Sequence, residues 1–146
     1  MLATNEISTA LGGRKILGKK IDSPLAFSDI INEGLPSASV FFLQNLLQLS
    51  DEEFSSTLGV SSKWLSRYRK TPKAHLTVDV SDKLYRVARI YKLAEEVLEG
   101  KESAINWLHR PQTGLNERVP LELIRTEAGS KEVEELLYRI EYGIYS

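Results

Sequence analysis

Residues 54 to 69 read FSSTLGVSSKWLSRYR, and the spacing inside this stretch decides the fold. Two short helices that cross steeply through a tight turn need a small residue where their backbones meet and a glycine where the turn requires positive φ. Ser55 and Gly59, four apart, meet both needs. Phe54, Leu58, Val60, Leu65 and Tyr68 then face inward, and Ser62, Lys63, Ser66 and Arg67 face outward on the second helix. The pattern predicts a helix-turn-helix.

In a DNA-binding unit of this kind the start of the second helix enters the major groove. Ser62, Lys63 and Arg67, with Ser66 on the same outward face, are then placed toward base edges, and Arg69, Lys70 and Lys73 toward phosphates. Arginine suits guanine, whereas serine discriminates poorly. The alternative is a helical hairpin with a solvated basic face. The charge pattern favours DNA: from Phe54 to Val78 there is no acid, while Lys63, Arg67, Arg69, Lys70 and Lys73 supply five bases. Trp64, beside Leu65 and Tyr68, reads as packing or interface before base stacking. His75 reads as a lone surface histidine before a phosphate contact.

Moving outward, helix signals dominate and strand-like alternation is almost absent. Upstream, Ser23-Pro24 opens a helix carrying Phe27, Ile30 and Ile31 that stops near Gly34. Pro36 and Ser37 restart the chain into an apolar helix through Val40, Phe41, Leu43, Leu46 and Leu47. Ser50 and Glu53 form a capping box, Ser61 caps the second helix of the motif, and Thr71-Pro72 closes it. Downstream, a long helix over roughly Val80 to Glu99 carries Leu84, Val87, Tyr91, Ala94 and Leu98 on one stripe, with Gly100 at its end. Short helices follow at Ala104 to His109 and Leu121 to Arg125, separated by the turn-rich RPQTGLNERVP, and a final helix starts at about Ser130. The expectation is an all-α fold with at least six helices. Residues 1–75 read as the helix-turn-helix half, 76–100 as a connecting or dimerising helix, and 101–146 as a small helical module.

At 146 residues, with 42% hydrophobic and 27% charged, the chain can bury a core shared by two compact halves. It has no cysteine, and His75 and His109 are far apart, which argues against disulfides, zinc and any metal cofactor. The first 20 residues lack a signal-peptide apolar region and no run of about 18 apolar residues occurs, so the expected location is the cytoplasm, with no membrane partner. The net charge of -1 is unevenly spread: Glu127, Glu132, Glu134, Glu135 and Glu141 face only Lys131 and Arg139 in the last stretch. Adjacent acids such as Glu95 and Glu96, or Glu134 and Glu135, splay apart on a helix and read as solvated faces. No nucleophile with a base and no phosphate-binding glycine loop appears, which argues against an enzyme.

The segment from Trp107 onward carries Trp107-Leu108 with Pro111, then Gly114, Pro120-Leu121, Thr126, Gly129, Val133, Leu137 and the closing Arg139-Ile140-Glu141-Tyr142-Gly143. This ordered set resembles the C-terminal module of the Xre/MbcA/ParS family of bacterial antitoxins, and the upstream helix-turn-helix with its long helix is similar to the family's N-terminal half. The resemblance covers most of the chain, except residues 1 to about 20. It implies an antitoxin without enzyme activity that pairs with a RES-domain toxin, an NAD consumer, and represses its own operon.

The final helix fits that implication. Val133, Leu136, Leu137 and Ile140 form an inward stripe, while Glu134, Glu135, Tyr138, Glu141, Tyr142 and Tyr145 fall on other faces. Exposed tyrosines with acids suit a partner interface whose pocket is built for the NAD pyrophosphate. Under the resemblance, Glu135, Tyr138, Arg139, Glu141, Tyr142, Gly143, Tyr145 and Ser146 are the toxin-binding residues, with the closing residues and the Ser146 carboxylate acting as an anionic plug. Without it, the tyrosines are expected to fold back on Trp107 and Leu121. Arg139 either bridges Glu135 or meets a partner carboxylate. A homodimer on an inverted-repeat operator and a larger hetero-oligomer with toxin are the expected assemblies. The rival reading is a plain transcriptional regulator whose C-terminal half dimerises or senses a ligand.

Overall fold

The computed structural model describes residues 2–143, which form ten helices and one 3-10 turn, with no strand among them. In order these are α1 (Thr4–Thr9), α2 (Gly13–Leu17), α3 (Pro24–Glu33), α4 (Ala38–Leu47), α5 (Asp51–Leu58), α6 (Ser62–Arg69), α7 (Val78–Val97), α8 (Lys101–His109), the 3-10 turn Thr113–Leu115, α9 (Pro120–Leu123) and α10 (Glu127–Glu141). Two isolated β-bridges, Pro36 to His75 and Gln112 to Arg118, tie loops together.

Five of the ten helices start at a side chain that takes up a free backbone N–H group. Ser23 accepts from the Ala26 amide with Pro24 at the first helical position of α3. The Ser50–Glu53 capping box starts α5, and Gly59 at φ 71° ends it. Ser61 accepts from Trp64 to open α6. Two starts lie earlier than the apolar periodicity suggested. Thr77 caps α7 by accepting from Val80, and Thr126 caps α10 by accepting from Gly129. Ser130, read as a helix start, is instead fully buried one turn in, where its hydroxyl donates to the Ile124 carbonyl at 3.2 Å. Because Thr126 must be extended to cap α10, α9 ends at Leu123, short of the expected Arg125.

α7 is the spine: α10, α8, α1, α3 and α5 all pack on it. Its buried set is wider than one stripe. Ser81, Ala88, Ile90 and Leu93 join Leu84, Val87, Tyr91 and Ala94, whereas Leu98 is only partly covered. A helix surrounded on several sides is apolar on several faces, and the two halves therefore share one continuous core. The buried Ser81 hydroxyl accepts from the Leu35 amide at 2.9 Å, so the polar atom inside that core is satisfied. Residues 2–22, for which the sequence offers no motif, fold onto this body. Ile7, Ala10, Leu11, Leu17 and Ile21 are buried, and Ser39 donates to the Leu11 carbonyl at 2.8 Å.

Candidate functional site

The helix-turn-helix packs as its spacing requires. Phe54, Leu58 and Leu65 are fully buried, while Val60 and Tyr68 lie half-covered against the core. On the opposite side Ser62, Lys63, Ser66 and Arg67 are exposed along α6, followed by exposed Lys70 and Lys73. Trp64 is half-buried, its ring 4.4 Å from that of Tyr68, which in turn lies 5.1 Å below the Arg67 guanidinium. Trp64 is a packing residue that stiffens the exposed face of α6 from beneath.

Arg69 has a different surrounding from its basic neighbours. Its guanidinium donates to both carboxylate oxygens of Asp51, at 2.7 and 3.2 Å, reaches Gln44 Oε1 at 3.4 Å, and lies 4.7 Å over the Phe41 ring. Gln44 also donates to Asp51 at 2.7 Å. The Arg69 hydrogen bonds hold the Asp51 carboxyl below its usual range, aided by Gln44. Asp51 stands just ahead of the acid-free window, and the fold brings it back to the end of α6. Read from sequence as a phosphate contact, Arg69 is already engaged: it ties the C-terminal end of α6 to α4 and the start of α5. His75 is exposed but also tied, through Nδ1–H to the Gly34 carbonyl at 2.9 Å.

At the other end, α10 buries Ser130, Val133 and Leu137 and half-covers Leu136 and Ile140. Two arginines of α7 staple it. Arg86 meets Glu127 at 3.4 Å, and Arg89 Nε donates to Glu134 at 3.0 Å. Glu134 is thus an inward-leaning partner of Arg89 instead of a solvated acid. Glu95 departs from expectation likewise, accepting from Tyr91 at 2.8 Å and from Lys92 at 2.6 Å. Adjacency in sequence had hidden both pairings, which come from one helix turn away or from another helix.

The outer face of α10 is left with Glu135, Tyr138, Glu141, Tyr142 and then Gly143, all exposed. Tyr138 is 37% and Tyr142 69% exposed, and their rings run nearly parallel, 14° apart in plane with centroids 6.5 Å apart. They do not fold back on Trp107 and Leu121. Partial burial, then the Glu134 and Glu141 carboxylates, push the Tyr138 hydroxyl pKa up, so it stays a neutral donor. Arg139 forms no ion pair with Glu135, and its half-covered side chain leaves Nε without a hydrogen-bond partner. Tyr145 and Ser146 lie outside the described residues. A cleft of about 340 Å³ between α5 and α8–α9, with Glu52, Glu53, His109 and Leu121 on its walls, includes none of these candidate residues. Among the described residues no acid or histidine cluster is arranged to hold a metal ion, and no helix is long and apolar enough to cross a membrane.

A basic helix-turn-helix and a C-terminal helical unit with an exposed tyrosine-and-acid face, joined by one long helix, define a class of two-part helical regulators. Residues 26–89 match the Antitoxin Xre-like helix-turn-helix domain, and residues 93–143 match the Antitoxin Xre/MbcA/ParS C-terminal toxin-binding domain. The chain is 34% identical over 118 residues to Antitoxin Xre of Photorhabdus laumondii, covering 80% of this chain and 79% of that protein. With Antitoxin Xre of Yersinia enterocolitica it shares 35% over 95 residues, 64% of each chain. A chain of the M. tuberculosis MbcT-MbcA toxin-antitoxin complex has the same fold, with a TM-score of 0.56 and 19% identity over 75% of this chain and 96% of that one. The chain belongs to the Xre/MbcA/ParS antitoxin family and is an antitoxin of a type II toxin-antitoxin system.

Proposed function

We propose that this antitoxin neutralises a RES-domain toxin that consumes NAD, and that it represses its own operon in the cytoplasm as a homodimer on operator DNA. The toxin is covered by the outer face of α10, through Glu135, Tyr138, Arg139, Glu141 and Tyr142, with Gly143, Tyr145 and Ser146 continuing the contact. The observation that carries this reading is the exposed Tyr138–Tyr142 pair flanked by acids, within the segment that matches a toxin-binding domain. A pocket that binds the NAD pyrophosphate must be positive, and a rigid aromatic pair rimmed by carboxylates complements it. Arg89 and Arg86 hold the helix from behind, so its outer face is presented with little ordering left to do on binding.

The test is NAD consumption by the purified product of the adjacent reading frame, with and without this chain. Loss of consumption on addition is expected; undiminished consumption in a mixture that co-purifies would sink the proposed mode of inhibition, and absence of any complex would leave a plain regulator.

On DNA, Ser62, Lys63, Ser66 and Arg67 face base edges and Lys70 and Lys73 the phosphates. A two-fold pair of such helices reads two half-sites of an inverted repeat. Arg67→Ala is expected to weaken specific binding by about 1–3 kcal/mol and to relax the preference at one position. Lys70→Ala lowers affinity for all sequences and reduces the slope of log K against log salt by about 1. Footprinting and titration at several salt concentrations check both, and unchanged footprints and affinities in the two variants would move the DNA site elsewhere.

A further inference from the structure

We infer that residues 14–20 form a second phosphate-binding strip, which carries the DNA contact beyond the helix-turn-helix onto the flanking duplex. The inference rests on the DNA-binding reading above. Gly12 to Asp22 contains Arg14, Lys15, Lys19 and Lys20 against the single acid Asp22, and all four bases are exposed. This stretch precedes the matched helix-turn-helix segment, which starts at residue 26. It is nevertheless built into the body through buried Leu11, Leu17 and Ile21.

Two independent sets of contacts bring it beside the loop that leaves α6. The first runs through the start of α4. Ser39 donates to the Leu11 carbonyl at 2.8 Å, while the Ser37 amide donates to Ala74 at 2.8 Å and the Ala38 amide to Pro72 at 3.0 Å. Leu11 and the Pro72–Ala74 loop are therefore held by the same half-turn of backbone. The second runs through the end of α3. Lys19 meets Glu33 at 3.5 Å, and the next residue, Gly34, accepts from His75 at 2.9 Å. Lys19 is thus linked through Glu33 and Gly34 to His75, two residues beyond Lys73, and Lys20 follows it in the chain. Lys19 is paired with Glu33, but Arg14, Lys15 and Lys20 form no ion pair among the described residues. A second group of cations, Arg14, Lys15, Lys19 and Lys20, is thus tied through α3 and α4 to the loop that follows the basic residues of α6. Duplex DNA, a regular array of phosphates, is the ligand whose charge spacing such a strip fits.

The test uses the full chain and two duplexes from the DNA upstream of its own reading frame. One ends at the limits of the helix-turn-helix footprint and the other adds a helical turn of flank on each side. Neutralising the strip with Arg14→Gln, Lys15→Gln and Lys20→Gln is expected to lower the salt slope on the flanked duplex by about 3 per protomer, at roughly 0.9 for each of the three phosphate contacts. The trimmed duplex should show no change. Melting should be unaffected because all three side chains are exposed, and Lys20→Gln alone gives a smaller loss of the same kind. Lys70→Gln is the control, lowering the slope on both duplexes. An unchanged slope in the strip variant, with the control responding, would overturn the strip and leave the helix-turn-helix reading intact. An equal loss on both duplexes would overturn its assignment to the flank. Failure of the unaltered chain to bind either duplex would overturn both readings.

Discussion

Tyr142→Ala is expected to weaken toxin neutralisation by about 2 kcal/mol or more, roughly thirtyfold, while leaving the melting temperature of the isolated antitoxin unchanged. The two halves of that result come from one geometric fact. Tyr142 is 69% exposed at the end of α10 and its ring makes a parallel contact with Tyr138, so the free protein loses little when it is cut back. In a complex the same ring becomes a desolvated anchor, and an anchor's removal leaves a void in the partner pocket. Tyr138→Ala should have a similar effect on neutralisation with a small cost in stability, since that ring is more than half covered. The double variant should fall short of the sum, because the rings are neighbours with centroids 6.5 Å apart and their contributions are coupled. The checks are inhibition of NAD consumption titrated against antitoxin concentration and a thermal melt of each variant alone. Full inhibition by the double variant would remove the outer face of α10 from the toxin contact.

Gly129→Ala is expected to act in the opposite way, lowering stability first and neutralisation only through it. A methyl group at Gly129 would stand 2.0 Å from the Leu123 carbonyl oxygen and 2.8 Å from its carbon, both backbone atoms that cannot rotate aside. Relief requires α9 and the first turn of α10 to separate, which disturbs the Thr126 cap and the buried Ser130 hydrogen bond to Ile124. Overpacking of this kind costs about 1–3 kcal/mol, and loss of a cap adds about 1 kcal/mol. Chemical denaturation measures the loss, and neutralisation should track the folded fraction. A Gly129→Ala protein with wild-type stability would mean that the α9–α10 corner yields more easily than its backbone contacts indicate. The contrast with Tyr142→Ala separates a residue that builds the module from one that uses it.

Much of this protein is legible in its sequence because local signals agree with the final fold. The Ser50–Glu53 box, the Ser61 cap, Gly59 and Ser23-Pro24 each act within four residues, and each appears in the structure as its chemistry requires. The inward set Phe54, Leu58 and Leu65 follows from the same short-range geometry. The ordered residues from Trp107 to Gly143 pointed to the antitoxin family, and Gly129 shows why one of them has that identity: the α9–α10 corner leaves no room for a side chain.

What the sequence by itself determined is therefore the helices from α3 onward, the Ser23, Ser50 and Ser61 caps, the helix-turn-helix and the presence of a basic and an acidic end. All are set by interactions between neighbours along the chain, whose distances are known before folding. The tertiary structure decided which charges are available. Arg69 looked free until α5 brought Asp51 to it, Glu134 looked solvated until α7 presented Arg89, and Lys19 had no evident partner until α3 brought Glu33 to it. The tyrosines of α10 were ambiguous for the same reason: only packing of Val133 and Leu137 onto the shared core fixes the rotation of that helix and leaves Tyr138 and Tyr142 outside. A charge or an aromatic ring has no function until its surroundings are known, and those surroundings come from residues 14 to 45 positions away, where no local rule reaches.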